Sequence, residues 1–133
     1  QAQILELIAE LGRKMNMATV LITHDLGVIA GLSDRVAVMY GGRVVEEASA
    51  IELFRSPQHP YSKGLLESMP RLDTSSDEAL HAIAGQPPDL QALPPGCSFE
   101  PRCDYAFERC REHIPDLRFC GENRVKACHL EKL

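Results

Sequence analysis

Two groups of side chains in this sequence could do chemistry. The first is His24, in the string Thr23-His24-Asp25, where an apolar run ends and a helical pattern begins. The carboxyl edge of an open α/β sheet is where ligands bind, and an imidazole there can donate a hydrogen bond to a phosphate oxygen or help hold a water. A capped helix start would use the same residues with no chemistry at all. The second group is the five cysteines, Cys97, Cys103, Cys110, Cys120 and Cys128, all within the last 37 residues. Five is odd, so they cannot all pair within one chain. Five and six residues separate Cys97, Cys103 and Cys110, whereas structural zinc sites usually draw on pairs about two to four residues apart. If residues 105–109 are helical, Cys103 and Cys110 stand roughly 10 Å apart along that helix. An iron–sulfur cluster spreads its thiolates further than a single ion does and tolerates such gaps better. On spacing, a cluster, zinc, disulfides and free thiols all stay open. Arg102, Arg109 and Arg111 flank the thiols and are expected to lower their pKa values. His113 and His129 can be read as substitute ligands or as solvated surface residues.

These residues need elements to position them. Ile4, Leu7, Ile8, Leu11 and Met15 recur at helical spacing, which predicts a helix packed on a sheet. Gly12 and Asn16 loosen its end. Residues 18–23 form a short, mostly apolar run of the kind found in buried parallel strands. Asp25 then caps a helix through Leu26, Val28, Ile29 and Leu32. Two β-rich runs, 35–40 and 43–47, flank Gly41-Gly42, a hairpin signal because both turn positions need positive φ. Ser49 and Glu52 match a capping box opening a helix through Leu53 and Phe54. Pro60 suits the first turn of another, through Leu65, Leu66 and Met69. From residue 70 to 96 the pattern fades into a polar stretch over 73–78 and the pairs Pro87-Pro88 and Pro94-Pro95, as in a surface connector.

Composition bounds the reading. The chain has 133 residues, 44% hydrophobic and 25% charged, with a net charge of −5. From Cys97 onward seven basic residues balance seven acidic ones, so the −5 belongs to residues 1–96. An acidic chain without a basic stripe argues against nucleic acid as a partner. No apolar stretch approaches the roughly 20 residues that span a bilayer, and no signal peptide is visible. The sequence opens at Gln1 inside a helical pattern, so we expect a piece of a longer protein.

The string Val20-Leu-Ile-Thr-His-Asp-Leu26, followed by Ser33-Asp-Arg-Val-Ala-Val-Met-Tyr-Gly-Gly-Arg-Val-Val-Glu46, resembles the H-loop and following hairpin of ABC-transporter ATPases. Ser56-Pro-Gln-His-Pro-Tyr-Ser-Lys-Gly-Leu-Leu66, Gly85-Gln-Pro-Pro-Asp-Leu90 and Pro95-Gly-Cys-Ser-Phe99 with Arg102-Cys103 narrow the match. Together they resemble the ATP-binding subunits of oligopeptide, dipeptide and nickel importers, and Gln1-Ala-Gln-Ile-Leu5 is similar to the helix after that family's D-loop. The resemblance implies an α/β fold: part of a P-loop ATPase sheet layer with a β-hairpin and helices, then a small, irregular Cys-rich unit. It divides the chain into 1–69, the C-terminal part of the ATPase domain; 70–96, a Pro-rich linker; and 97–133, the Cys-rich unit. It implies that His24 contacts the γ-phosphate of ATP and helps hold the attacking water. No G-x-x-x-x-G-K-[ST] loop occurs in these residues, so ATP and magnesium are expected in the parent protein and not on this fragment alone. The family's pattern implies a 4Fe–4S cluster, or less readily zinc, on Cys97, Cys103, Cys110 and Cys128; Cys120 departs from it. Implied partners are permease subunits and a second ATPase subunit, at the cytoplasmic face of the inner membrane. The fragment, with an open sheet edge at 18–23, is expected to self-associate. The alternative function is a metal- or cluster-bearing regulatory or structural module, or nickel import.

Overall fold

A computed structural model describes residues 2–69 and 82–133, so the polar stretch expected over 73–78 and part of the 70–96 linker lie outside the described residues. The first helix, α1, runs Ala2–Met15 and closes on Asn16, whose φ of 51° places it in the left-handed region that ends helices. Helix α2, Leu26–Leu32, starts at Asp25, whose carboxylate accepts the N–H groups of Gly27 and Val28. The expected cap is therefore formed.

The hairpin is also formed. Strand β1, Arg35–Tyr40, pairs antiparallel with β2, Arg43–Ser49, across Gly41 and Gly42, whose φ values of 56° and 76° meet the turn's demand. Alternate residues of β1 are buried, putting Val36, Val38 and Tyr40 in the core. At Ser49 the chain passes into α3, Ala50–Arg55; the Ser49 hydroxyl accepts the Glu52 N–H and donates to its carboxylate. Helix α4, Pro60–Glu67, opens with Pro60 after His59, whose ring Nδ1 accepts the Tyr61 N–H.

The Cys-rich segment is more regular than its sequence suggested. It contains a 3₁₀ turn at Glu100–Arg102, helix α5 at Glu108–Glu112, and strands β3, Arg118–Gly121, and β4, Arg124–Lys126. Strand β4 pairs with β2 through Glu46↔Lys126 and Glu47↔Val125, giving one antiparallel sheet of order β1-β2-β4-β3. These strands are three and four residues long, too short for their alternation to be read in the sequence. The core joins both parts of the chain, since Phe99 packs with Val36, Val38, Tyr40, Val45, Ala48, Ala50 and Leu53.

One expectation fails. Residues 18–23 form no strand, and Val20 and Ile22 stand 89% and 94% exposed. The apolar face of α1 is likewise uncovered, with Ile4, Leu7, Ile8, Leu11 and Met15 all exposed. The physical reason is pairing. A strand needs a neighbour for its N–H and C=O groups, and no described strand lies beside this run.

Candidate thiol site

His24 lies at the bend just before α2 and is exposed. Thr23 Oγ1 accepts the Asp25 N–H, and Asp25 caps the helix, so both flanking residues serve the turn that presents the imidazole. Among the described residues nothing forms a phosphate cradle around it.

The cysteines are arranged differently. Cys97, Cys103, Cys110 and Cys128 line one cavity, although they come from four separate places in the chain. Cys97 precedes the 3₁₀ turn, Cys103 follows it, Cys110 sits in the middle of α5, and Cys128 lies just past β4. Cys103 and Cys110 are not on one helix, because α5 begins only at Glu108; the chain folds back between them. The Cys97 N–H donates to the Cys110 carbonyl at 2.8 Å, locking two of the thiol-bearing segments together. Gly96 makes this approach possible, since a Cβ there would stand 2.2 Å from the Cys110 carbonyl oxygen. Cys120 lies on β3 outside the cavity, its thiol directed to the Arg124 carbonyl at 3.9 Å.

Burial dominates the protonation of Cys97, Cys103 and Cys128. It pushes Cys97 and Cys128 above the ordinary thiol range and Cys103 up to about 11. Neighbouring thiols push the same way. The expectation that Arg102, Arg109 and Arg111 lower these values is corrected here. Arg102 donates to the carbonyls of Ile83 and Ala84, and Arg111 pairs with Glu100. The cations acting on Cys128 are Lys126 and Arg118.

What opposes burial is the backbone. Backbone amides near three of the sulfurs, Phe99 at Cys97, Tyr105 at Cys103 and Leu130 at Cys128, pull their pKa values down. The Glu100 N–H donates to the Cys97 carbonyl at 3.0 Å. Amides near a sulfur favour the thiolate over the thiol.

The wall between the thiols includes His59, Phe99, Tyr105 and His129. Lys63 Nζ donates to the Tyr105 hydroxyl at 2.8 Å, tying α4 to this wall. His129 Nε2 contacts the His113 carbonyl at 2.9 Å, while the exposed His113 ring lies 4.0 Å from Glu112. Of the two histidines read as substitute ligands, only His129 reaches the cavity. Among the described residues no three His, Cys, Asp or Glu side chains form a ready group for a metal ion. The four thiols thus share a cavity without forming such a group. His59 and the backbone donors were not assigned any chemistry from sequence, although His59 sits in the Ser56-Pro-Gln-His-Pro-Tyr string.

The sequence that builds this cavity has known relatives. A family model described as "Oligopeptide/dipeptide transporter, C-terminal region" matches residues 45–110, and the chain belongs to that family. It is 50% identical over 96% of its length to the oligopeptide transport ATP-binding protein OppD of Salmonella typhimurium. It is 48% identical over 98% to the protein of the same name in Haemophilus influenzae, and 47% over 98% to the dipeptide transport ATP-binding protein DppD of Bacillus subtilis. The chain spans 38%, 40% and 39% of the lengths of these three relatives.

Proposed function

We propose that this chain is the C-terminal part of the ATP-binding subunit of an ABC importer for peptides, and that its cysteine unit holds a 4Fe–4S cluster. The importer reading is supported by the relatives, whose names record oligopeptide and dipeptide transport with ATP binding. ATP, magnesium, permease subunits, a second ATPase subunit and a peripheral place at the cytoplasmic face of the inner membrane belong to that whole protein. Consistent with a peripheral place, no helix among the described residues is long and apolar enough to cross a membrane. In the whole protein the run 18–23 lies within a parallel sheet, and the exposed face of α1 packs against it. His24, at the end of that strand, donates a hydrogen bond to the γ-phosphate and orients the attacking water. Residues 1–69 carry this work, 70–96 connect, and 97–133 carry the thiols; pairing of β4 on β2 supports their folding together.

The cluster reading is carried by one observation, four thiols from four parts of the chain lining one cavity. Cys97, Cys103, Cys110 and Cys128 would hold the group. Bound, it would supply a cross-link for a segment with little apolar mass. The residues of the chain shield it: Phe99 and His59, which line the cavity, exclude water. The isolated chain, with Val20 and Ile22 open to solvent, self-associates; light scattering of a clean monomer at high concentration would remove that part.

The catalytic reading is tested in the whole protein. His24→Ala should lower ATP turnover by about 100-fold or more while nucleotide binding persists. Unchanged turnover would take His24 out of the site. Iron and acid-labile sulfide in anaerobically prepared protein test the cluster reading separately.

A further inference from the structure

Helix α5 is too short to hold its own shape. It has five residues, and no side chain caps its start; an isolated helix below about 12 residues is marginal in water. Yet it carries the buried Cys110, so its place must be set from outside. One tie is the Cys97 N–H on the Cys110 carbonyl. The second comes from His129, the residue after Cys128. Its Nε2 stands 2.9 Å from the carbonyl of His113, whose own N–H closes the last turn of α5 on Arg109 at 3.0 Å. Toward the other end its ring lies 6.3 Å from that of Phe107, edge to face at 71°. His129 thus reaches from the residue before α5 to the residue after it.

A carbonyl oxygen can only accept, so Nε2 carries a proton and donates it. The last carbonyls of a helix have no partner within it, and a histidine donor there satisfies one of them. The segment that presents His129 is itself held on the sheet. The Ala127 N–H donates to the Val45 carbonyl at 2.8 Å, Arg118 to the Cys128 carbonyl at 2.9 Å, and Lys126 Nζ to the Glu131 carbonyl at 2.9 Å. Because β2, β3 and β4 all grip this segment, a bond from it to α5 fixes the helix relative to the sheet. A donating Nε2 would also suit a ring that bound a metal through Nδ1, but the four thiols on the cavity already complete a cluster's set of ligands.

We propose that His129 is a positioning residue for the thiol site: its Nε2–H bond to the His113 carbonyl joins the segment that carries Cys128 to the helix that carries Cys110, and the ring gives no ligand to the group the thiols hold. This rests on the reading of the four thiols as one binding site. It makes the two most buried thiols move as one unit.

The test compares His129→Gln with His129→Leu in the full chain. Glutamine can still donate an amide N–H to the His113 carbonyl but has no imidazole to bind a metal, whereas leucine donates nothing. In iron-free chains at fixed pH, alkylation of each cysteine is followed by mass spectrometry, with Cys120 as internal reference. Cys110 and Cys128, 7% and 8% exposed, should both react about tenfold faster in the leucine variant, as for loss of local protection. In the glutamine variant they should react at close to the native rate. Unchanged labelling in a cooperatively melting leucine variant overturns the proposal. Equal acceleration in both variants overturns it too, because the imidazole and not its N–H is then what the site needs. Anaerobic loading with iron and sulfide is measured in parallel. A glutamine variant that labels normally but loads with altered visible absorption makes His129 a ligand and overturns the proposal. The contrast in labelling with no iron uptake by the unsubstituted chain supports the positioning role and removes the cluster reading instead. Should the leucine variant not fold, the ¹⁵N shifts of His129 in the unsubstituted chain decide. A proton on Nε2 supports the proposal, and an unprotonated Nε2 overturns it.

Discussion

Residues 2–34 and the sheet-bearing remainder of the chain are both rich in apolar residues at regular spacing, yet they end in opposite states. In the first region α1 and the run 18–23 leave their apolar faces in water. In the second, the alternation of β1 places every second residue in a core closed by β2, α3 and Phe99. The difference lies in the supply of partners. β1 finds its neighbour across a two-residue turn, and β2 finds a second neighbour in the Cys-rich tail. The run 18–23 has the composition of a buried strand and no described neighbour. Apolar pattern specifies a face; only a partner turns it into a core.

The strongest way to break the second region is at Glu46, which is fully buried and bonded to Arg124 at 2.6 Å. Glu46→Gln should cost about 3–5 kcal/mol, because it leaves the Arg124 charge buried without its counter-ion. The adjacent Arg35–Glu47 pair is exposed, so Arg35→Ala should cost less than about 1 kcal/mol. Denaturant midpoints of the two variants measure the contrast.

Acid should act through His59. Burial is the main cause lowering its pKa from 6.5 to about 4, with Lys126 helping while Glu46 and the Ala127 backbone oppose. Between those values the unfolded chain takes up a proton that the folded chain refuses. Stability from this group is thus full above 6.5 and lost as pH falls toward 4, by at most about 3 kcal/mol. Melting across this range should show the slope, and His59→Asn should remove it.

Gly96→Ala should destabilise the chain by about 1–3 kcal/mol, since its Cβ would meet backbone atoms that cannot turn aside. Thermal melts and exposure of Cys97 to alkylation report it. At the small end, Ile22→Ser in this chain should change stability by less than about 0.5 kcal/mol, as expected of an exposed position. A larger loss on denaturant unfolding would mean that the run is covered.

Local chemistry was legible in the sequence. Asp25, Ser49, Gly41-Gly42 and Pro60 each act within a few residues, and each forms the cap or turn its type demands. The tail's strands and the return of β4 onto β2 were not legible, because three residues carry no readable period and strand pairing is non-local. For the thiols, spacing described the gaps but not the fold-back between Cys103 and Cys110 that brings both to one cavity. The arginines misled for a related reason. Nearness in sequence put them beside the cysteines, while the side chain of Arg102 went to carbonyls and that of Arg111 to Glu100.

The central claim is that four cysteines and not the fifth form one inorganic site. Single Cys→Ser variants, reconstituted anaerobically with iron and sulfide, test it most directly through iron content per chain and visible absorption. The account predicts that Cys120→Ser keeps the signal, because that thiol stands on β3 outside the cavity, while replacing Cys97, Cys103, Cys110 or Cys128 removes it. Loss of the signal in Cys120→Ser with its retention in Cys128→Ser would contradict the account.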